Sequence, residues 1–279
     1  MCEQLMSEPD SPVLGLHIEG PYLNKKMAGE QFADQVKEID EQEYRELVES
    51  TRCIRRWDAS PELPGALEFA SYLREKGILA AVSHTEAEYD GIRAAYDAGF
   101  THAAHFYNAM PGFHKRREYK YEGTVESVYL TDGMTIELIA DGIHLPSTIL
   151  RLAYKLKGME HTCLVTDALS CAATEGKEIN DPRYIIEDGV CKLADRSSLA
   201  GSIATMDVLV RTMTKAGIPL GDALRMASET PARIMGVYDR KGSLQKDKDA
   251  DILILDKELN IRAVWQAGKL VQESFLNYK

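Results

Sequence analysis

Six short apolar runs in this chain each close on an ionisable residue: VLGLHIE on Glu19, RCIRRWD on Asp58, ILAAVSH on His84, THAAH on His105, MTIELIAD on Asp141 and TCLVTD on Asp167. Between them lie segments with helical periodicity, such as PELPGALEFASYLREKG, EAEYDGIRAAYDAG and PSTILRLAYKLKG, each closed by a Gly suited to a helix C-cap. Strand and helix alternating in this way predict a parallel sheet covered by helices. Parallel strands are buried on both faces, so ionisable side chains at their ends are costly unless they are paired or used. In a (β/α) barrel the active site forms where strands pass into the following loops, and these residues therefore read as a site rather than as packing.

After Asp167 the alternation weakens. YIIEDGVCKLAD (184–195) reads as a hairpin turning at Asp188 and Gly189, followed by helices at about 203–216 and 220–227. The stretch 241–271 returns to short alternating runs separated by Gly and Asp, as in a small β-structure. With 279 residues, 44% of them hydrophobic, the chain can bury a substantial core. A formal net charge of -11 argues against a nucleic-acid partner, and the local basic run Lys115 to Arg117 reads equally as a solvated loop or an anion site. Five cysteines, an odd number with no CxxC pair, fit reduced thiols and a cytoplasmic location, and no secretory leader or membrane-spanning apolar run is read in the chain.

The strand-end residues are of the types that hold a divalent cation. Glu19, His84 and His105 offer carboxylate and imidazole donors from separate strands, which barrel closure would bring together with one position left for water. Asp167 ends a fourth strand and is not needed as a ligand. A carboxylate beside an activated water can take its proton and later deliver it to a leaving amine. Other residues receive quieter readings. His17 shares a strand face with Glu19 and is expected to orient that carboxylate. His102 is read as structural, His114 and His161 receive no role, and Cys163 and Cys171 are read as packing. EGP and LAGS are either turns or close approaches of backbone to substrate.

In order along the chain, GLHIEGPYLNKKMAGEQ, VSHT, HFYNAMPGF, ADGIH, LVTDA, LAGS and TPARIMG resemble successive motifs of the N-acetylglucosamine-6-phosphate deacetylases, from about Val13 to the C-terminus. The resemblance implies an α/β fold, a TIM-type (β/α) barrel of the metal-dependent hydrolase kind. It would lack its first two strands and carry a small C-terminal β-subdomain. Residues 1–240 would hold barrel strands 3–8 and the C-terminal helices, and 241–279 part of a small β-sandwich. Six strands cannot close an eight-stranded barrel, so uncovered sheet edges are expected.

By the same resemblance Glu19, His84 and His105 bind one divalent metal ion, zinc foremost, with iron, cobalt or manganese as alternatives. Asp167 activates the water and protonates the departing nitrogen, and the cation polarises the acetamide carbonyl. His144 contacts the sugar and the developing oxyanion, Asn108 and the Ala109 N–H lie near the 6-phosphate, and Gln31 lies near the substrate. The family's Arg-Glu-Pro-Gly phosphate stretch is replaced here by HKRREYKYEG (114–123); Arg117 is the best match and Arg116 the next. That arginine can serve a neighbouring subunit, which implies a homodimer. The implied substrate is an amino-sugar phosphate. The alternatives are another amidohydrolase reaction, on a related N-acyl sugar or a cyclic amide, and an inactive fragment.

Overall fold

The computed structural model describes residues 1–29, 31, 35–173, 179 and 181–273. After a short helix α1 (Cys2–Ser7) come strands β1 (Leu16–Glu19), β2 (Ile54–Ala59), β3 (Leu79–Val82) and β4 (Phe100–Ala103). A small antiparallel hairpin follows, β5 (His114–Arg116) and β6 (Tyr119–Tyr121), and then β7 (Thr135–Leu138) and β8 (Thr162–Leu164). Strands β1, β2, β3, β4, β7 and β8 form one parallel sheet in that order, with β1 and β8 at its open edges. The connections carry helices α2 (Glu41–Ser50), α3 (Ala66–Glu75), α4 (Tyr89–Ala98), α5 (Thr124–Leu130) and α6 (Ser147–Lys157). The expected alternation is present, and Gly99 and Gly158 cap α4 and α6 with positive φ.

The strands are shorter than the apolar runs that announced them. His84 and His105 lie two residues beyond β3 and β4, and Asp141 and Asp167 three residues beyond β7 and β8. His84, His105 and Asp167 have φ of 46°, 28° and 49°, which takes the backbone out of the extended region and ends the ladder before them. Only Glu19 is the last residue of its strand, while Asp58 lies inside β2.

The sheet is curled. In a flat sheet β2 and β7 would stand three strand spacings apart, roughly 14 Å. Yet Arg56 on β2 places its guanidinium 2.6 Å from the Glu137 carboxylate on β7, across the concave face. The convex face is covered by the helices and by an aromatic cluster. Trp57 stacks on Tyr22 at 5.8 Å and meets Phe69 edge-on at 5.3 Å. The Trp57 indole N–H donates to the Gly20 carbonyl at 2.8 Å, which ties the turn after β1 to the core.

Beyond β8 the chain forms the hairpin β9 (Tyr184–Glu187) and β10 (Val190–Leu193). Asp188 and Gly189 both have positive φ, 54° and 77°, the backbone that an Asp-Gly hairpin turn requires. Helices α7 (Met206–Lys215), α8 (Leu220–Ala227) and α9 (Glu229–Ile234) precede an antiparallel sheet of β11 (Ile252–Leu255), β12 (Ile261–Gln266) and β13 (Lys269–Glu273). The chain's first residues rest on this sheet, Asp10 accepting from Lys269 Nζ and from Gln266 Nε2 at 2.6 Å each. Among the described residues no helix is long and apolar enough to cross a membrane.

Lys157, at the end of α6, is buried and donates to the Thr131 carbonyl at 2.9 Å. Burial pulls its ammonium down to about 8. The folded state therefore releases this proton near pH 8, whereas the unfolded chain keeps it to about 10.4. Stability is penalised below pH 8 and recovers as pH rises through that window. Melting temperatures of wild type and Lys157→Met between pH 7 and 10.5 should show the relative gain of wild type with pH; parallel curves would contradict it.

Candidate metal centre

Glu19, His84 and His105 meet over the C-terminal ends of β1, β3 and β4. His84 Nε2 and His105 Nε2 each lie 2.9 Å from Glu19 Oε1, and the two rings stand edge to face at 4.9 Å. All three ligand atoms lie within 4.8 Å of one another. His84 Nδ1 donates to the Met27 carbonyl at 2.7 Å. That bond leaves the Nε2 lone pair of the neutral ring facing the cluster, the tautomer a metal ligand needs. His105 Nδ1 is buried without a hydrogen-bond partner, so the ring is held through Nε2, which faces Glu19 and lies 3.2 Å from Ser83 Oγ. The donor set fits one divalent cation of the borderline class.

Without a cation the cluster balances its charge with protons. Burial works against the Glu19 carboxylate, but its contacts with His105 and then His84 outweigh it and hold the group well below the ordinary range. Burial likewise opposes a charged His105, and the contact with Glu19 overrides it, pushing His105 up to about 9. A cation entering here takes the place of that proton.

Asp167 lines the same cavity, which measures about 320 Å³ and is walled also by Glu19, His84, His105, Asn108, Ala109 and His144. Burial pushes its carboxyl up, reinforced by the charges of Glu19 and Glu137 and opposed by His105 and His144. Its backbone is pinned by the LAGS segment. Ser202 N–H donates to the Asp167 carbonyl at 2.6 Å, and Leu169 N–H to the Ser202 carbonyl at 2.9 Å. Gly201 sits there at φ 48°, where an added Cβ would stand 3.0 Å from the Asp167 carbonyl oxygen, so the close approach requires glycine.

His144 is aimed by Asp141, whose carboxylate accepts from His144 Nδ1 at 2.7 Å and from the N–H groups of Ile143 and His144 at 2.8 Å each. Burial acts to raise Asp141, and these hydrogen bonds overcome it to leave the group below its usual value. Asn108 Nδ2 donates to the His105 carbonyl at 3.0 Å, and Ala109, at φ 52°, lines the cavity while its carbonyl accepts from Thr85 N–H. Gln31 donates from Nε2 to Glu19 Oε2 at 3.0 Å, so it grips the carboxylate that faces the two histidines.

Two expectations come out differently. His17 engages Asp58 at 2.9 Å, and it is Gln31, His84 and His105 that hold Glu19. Asp58 is not a cavity residue; it is fully buried and salt-bridged to Arg56. Arg117 and Arg116 are not among the residues lining this chain's own cavity, and the role in a neighbouring subunit's site is a separate expectation. Arg117 is exposed at the tip of the β5–β6 hairpin at φ 55°, because a two-residue connection turns the chain back on itself there. Arg116 pairs with Glu88 at 2.8 Å and lies over the Tyr121 ring.

The sequence reading missed Lys26, the one Lys or Arg among the described residues lining the cavity. It also missed a buried polar layer beneath, comprising Arg56, Asp58, His102, Glu137 and Cys163. Charged residues in the middle of strands that should be buried on both faces were the available signal. His102, Glu137 and Cys163 also lie close enough to share a cation, but Glu137 already receives two hydrogen bonds from Arg56. Burial pushes the Cys163 thiol far up, which keeps it protonated and a poor ligand.

The amidohydrolase family model matches residues 3–271. The N-acetylglucosamine-6-phosphate deacetylase of Lysinibacillus sphaericus is 32% identical over 266 residues, covering 94% of this chain and 67% of the relative. The N-acetylgalactosamine-6-phosphate deacetylase of Escherichia coli O157:H7 is 32% identical over 272 residues, covering 94% of this chain and 69% of the relative. Among solved structures, the N-acetylglucosamine-6-phosphate deacetylase of Pasteurella multocida superposes with a TM-score of 0.87 at 28% identity, covering 96% of this chain and 70% of that one. The chain thus spans roughly two thirds of the length of the proteins it matches. A parallel sheet with ionisable residues at its strand ends, a family match over nearly the whole chain and this identity to curated relatives agree: the chain belongs to the amidohydrolase family, in the group of the N-acetylglucosamine-6-phosphate deacetylases.

Proposed function

We propose that this chain hydrolyses the acetamide of N-acetylglucosamine 6-phosphate to glucosamine 6-phosphate and acetate, a step of amino-sugar catabolism. The observation that carries the reading is the meeting of one carboxylate and two imidazole nitrogens in a cavity whose wall also holds Asp167. Glu19, His84 and His105 hold one divalent cation, zinc in the first place, with iron, cobalt or manganese compatible with the same donors. The bound ion supplies Lewis acidity, polarising a carbonyl oxygen and making water easier to deprotonate.

Asp167 takes a proton from the attacking water and delivers it to the departing nitrogen. A carboxylate pushed upward by burial suits both halves of that transfer, since a stronger base yields an acid still protonated closer to neutral pH. His144 holds the sugar and faces the oxygen on which charge develops, its ring fixed by Asp141. Asn108 and the Ala109 N–H attend the phosphate end.

Lys26 and Arg117 supply positive charge for that phosphate. Lys26 does so from the cavity wall, where it now lies 3.4 Å from Glu86. Arg117, exposed on its hairpin, serves the site of a second copy in a homodimer. Five cysteines, an odd number with no CxxC pair, suit a cytoplasmic enzyme. Residues 1–240 form the partial barrel and 241–279 the β-subdomain.

A second substrate, the galactosamine epimer, is favoured by the E. coli N-acetylgalactosamine-6-phosphate deacetylase, whose identity equals that of the Lysinibacillus relative. The deciding measurements are acetate release by the zinc-loaded protein from the 6-phosphates of N-acetylglucosamine and N-acetylgalactosamine and from the unphosphorylated sugars, and, separately, ring opening of a cyclic amide. Turnover restricted to cyclic or unphosphorylated substrates overturns the proposal. One charge-assisted contact is worth about 1.4 kcal/mol, so Lys26→Met should raise KM for the phosphorylated sugar roughly tenfold and leave unphosphorylated sugar unaffected. Equal effects on both substrates would remove Lys26 from the phosphate end.

A further inference from the structure

We infer that Glu137 is a positioning residue for His105, held in register by Arg56 and Asp58, so that the buried ion-pair layer beneath the cavity sets the geometry of the metal ligands. This inference rests on reading Glu19, His84 and His105 as the metal-binding set.

The Glu137 carboxylate is saturated with donors. Oε2 accepts from Arg56 Nη1 at 2.6 Å and from His102 Nε2 at 3.2 Å; Oε1 accepts from Arg56 Nη2 at 2.8 Å and from the His105 backbone N–H at 2.9 Å. The Glu137 main-chain carbonyl accepts from Phe106 N–H at 2.8 Å. Residues 105 and 106 are therefore fastened to residue 137 twice, once through its side chain and once through its backbone. His105 needs such a fastening because its φ of 28° is sparsely populated for a non-glycine residue. Arg56 in turn is fixed on its far side by Asp58, through contacts of 2.7 and 2.8 Å.

Stability alone accounts poorly for this layer. Arg56, Asp58 and Glu137 are all buried, and a buried ion-pair triad is commonly no more stabilising than apolar side chains of similar volume. What the charged layer does and an apolar one would not is direct a carboxylate oxygen at the His105 N–H while holding that oxygen still.

The test is zinc affinity of the purified full chain, measured by competition with a chromophoric chelator, alongside the thermal melt. Replacing the triad as a unit, Arg56→Met with Asp58→Asn and Glu137→Leu, should give a cooperatively folded protein that binds zinc about 10- to 100-fold more weakly, the range for loss of a residue that orients a metal ligand. Glu137→Gln, which keeps volume and one acceptor oxygen, should lose less. Cys163→Ala, buried beside Glu137 but outside the Arg56–Asp58–Glu137 ion pairs, should leave zinc affinity unchanged.

Unaltered zinc affinity in both Glu137 variants overturns the inference, as does an equal loss in Cys163→Ala. Variants that lose zinc only because they no longer melt cooperatively assign the layer a purely structural role and also overturn it. Wild-type protein that takes up no zinc would instead sink the metal assignment itself, so the two failures are distinguishable.

Discussion

Asp167→Asn is expected to retain one zinc ion per chain and near-normal KM while kcat falls about 10³-fold, the scale of a lost general acid–base group. Asparagine matches aspartate in shape and cannot take the proton of the attacking water. The site around it should persist, because the segment is held through its backbone: Ser202 N–H donates to the Asp167 carbonyl and Gly201 permits the close approach. Glu19, His84 and His105 do not rely on Asp167: Glu19 meets Gln31, His84 and His105. A kcat within tenfold of wild type would remove Asp167 from the proton-transfer role. Loss of zinc together with activity would make it a ligand instead.

His105→Ala should abolish stoichiometric zinc uptake and lower kcat/KM by on the order of 10³-fold or more, since polarisation of the carbonyl and activation of water both depend on the ion. Titration of wild type gives a companion result. With His105 pushed to about 9 when no cation is present, zinc must displace a proton at neutral pH. Apparent affinity should therefore rise with pH, by about tenfold per unit for one displaced proton, and level off above about pH 9. A pH-independent affinity between 6 and 8 would contradict that exchange. Retention of one tightly held zinc in His105→Ala would contradict the assignment of the ligand.

These expectations draw unequally on sequence and structure. The apolar runs closing on Glu19, His84, His105 and Asp167 are local patterns, and the Asp-Gly turn of the β9–β10 hairpin and the glycine caps of α4 and α6 are set by backbone conformation within a few residues. All were therefore legible. Strand ends were read two or three residues too long because apolar composition continues past the point where positive φ at His84, His105 and Asp167 breaks the ladder. The basic run at 115–117 carried no sign of its own placement: a hairpin turns Arg117 outward, and among the described residues it is Lys26, in a 3-10 turn after β1, that lines the cavity.

The amino-acid order by itself determined the alternation of strand and helix and the ionisable residues near the strand ends, because periodicity and turn chemistry act over a few residues. Which of those residues meet was decided by the tertiary structure. Parallel pairing and the curl of the sheet bring Glu19 within 2.9 Å of His84 and His105, 65 and 86 residues away, and Arg56 to Glu137 across 81. Such encounters depend on strand order and curvature, which are properties of the whole sheet and leave no mark within a short stretch of chain.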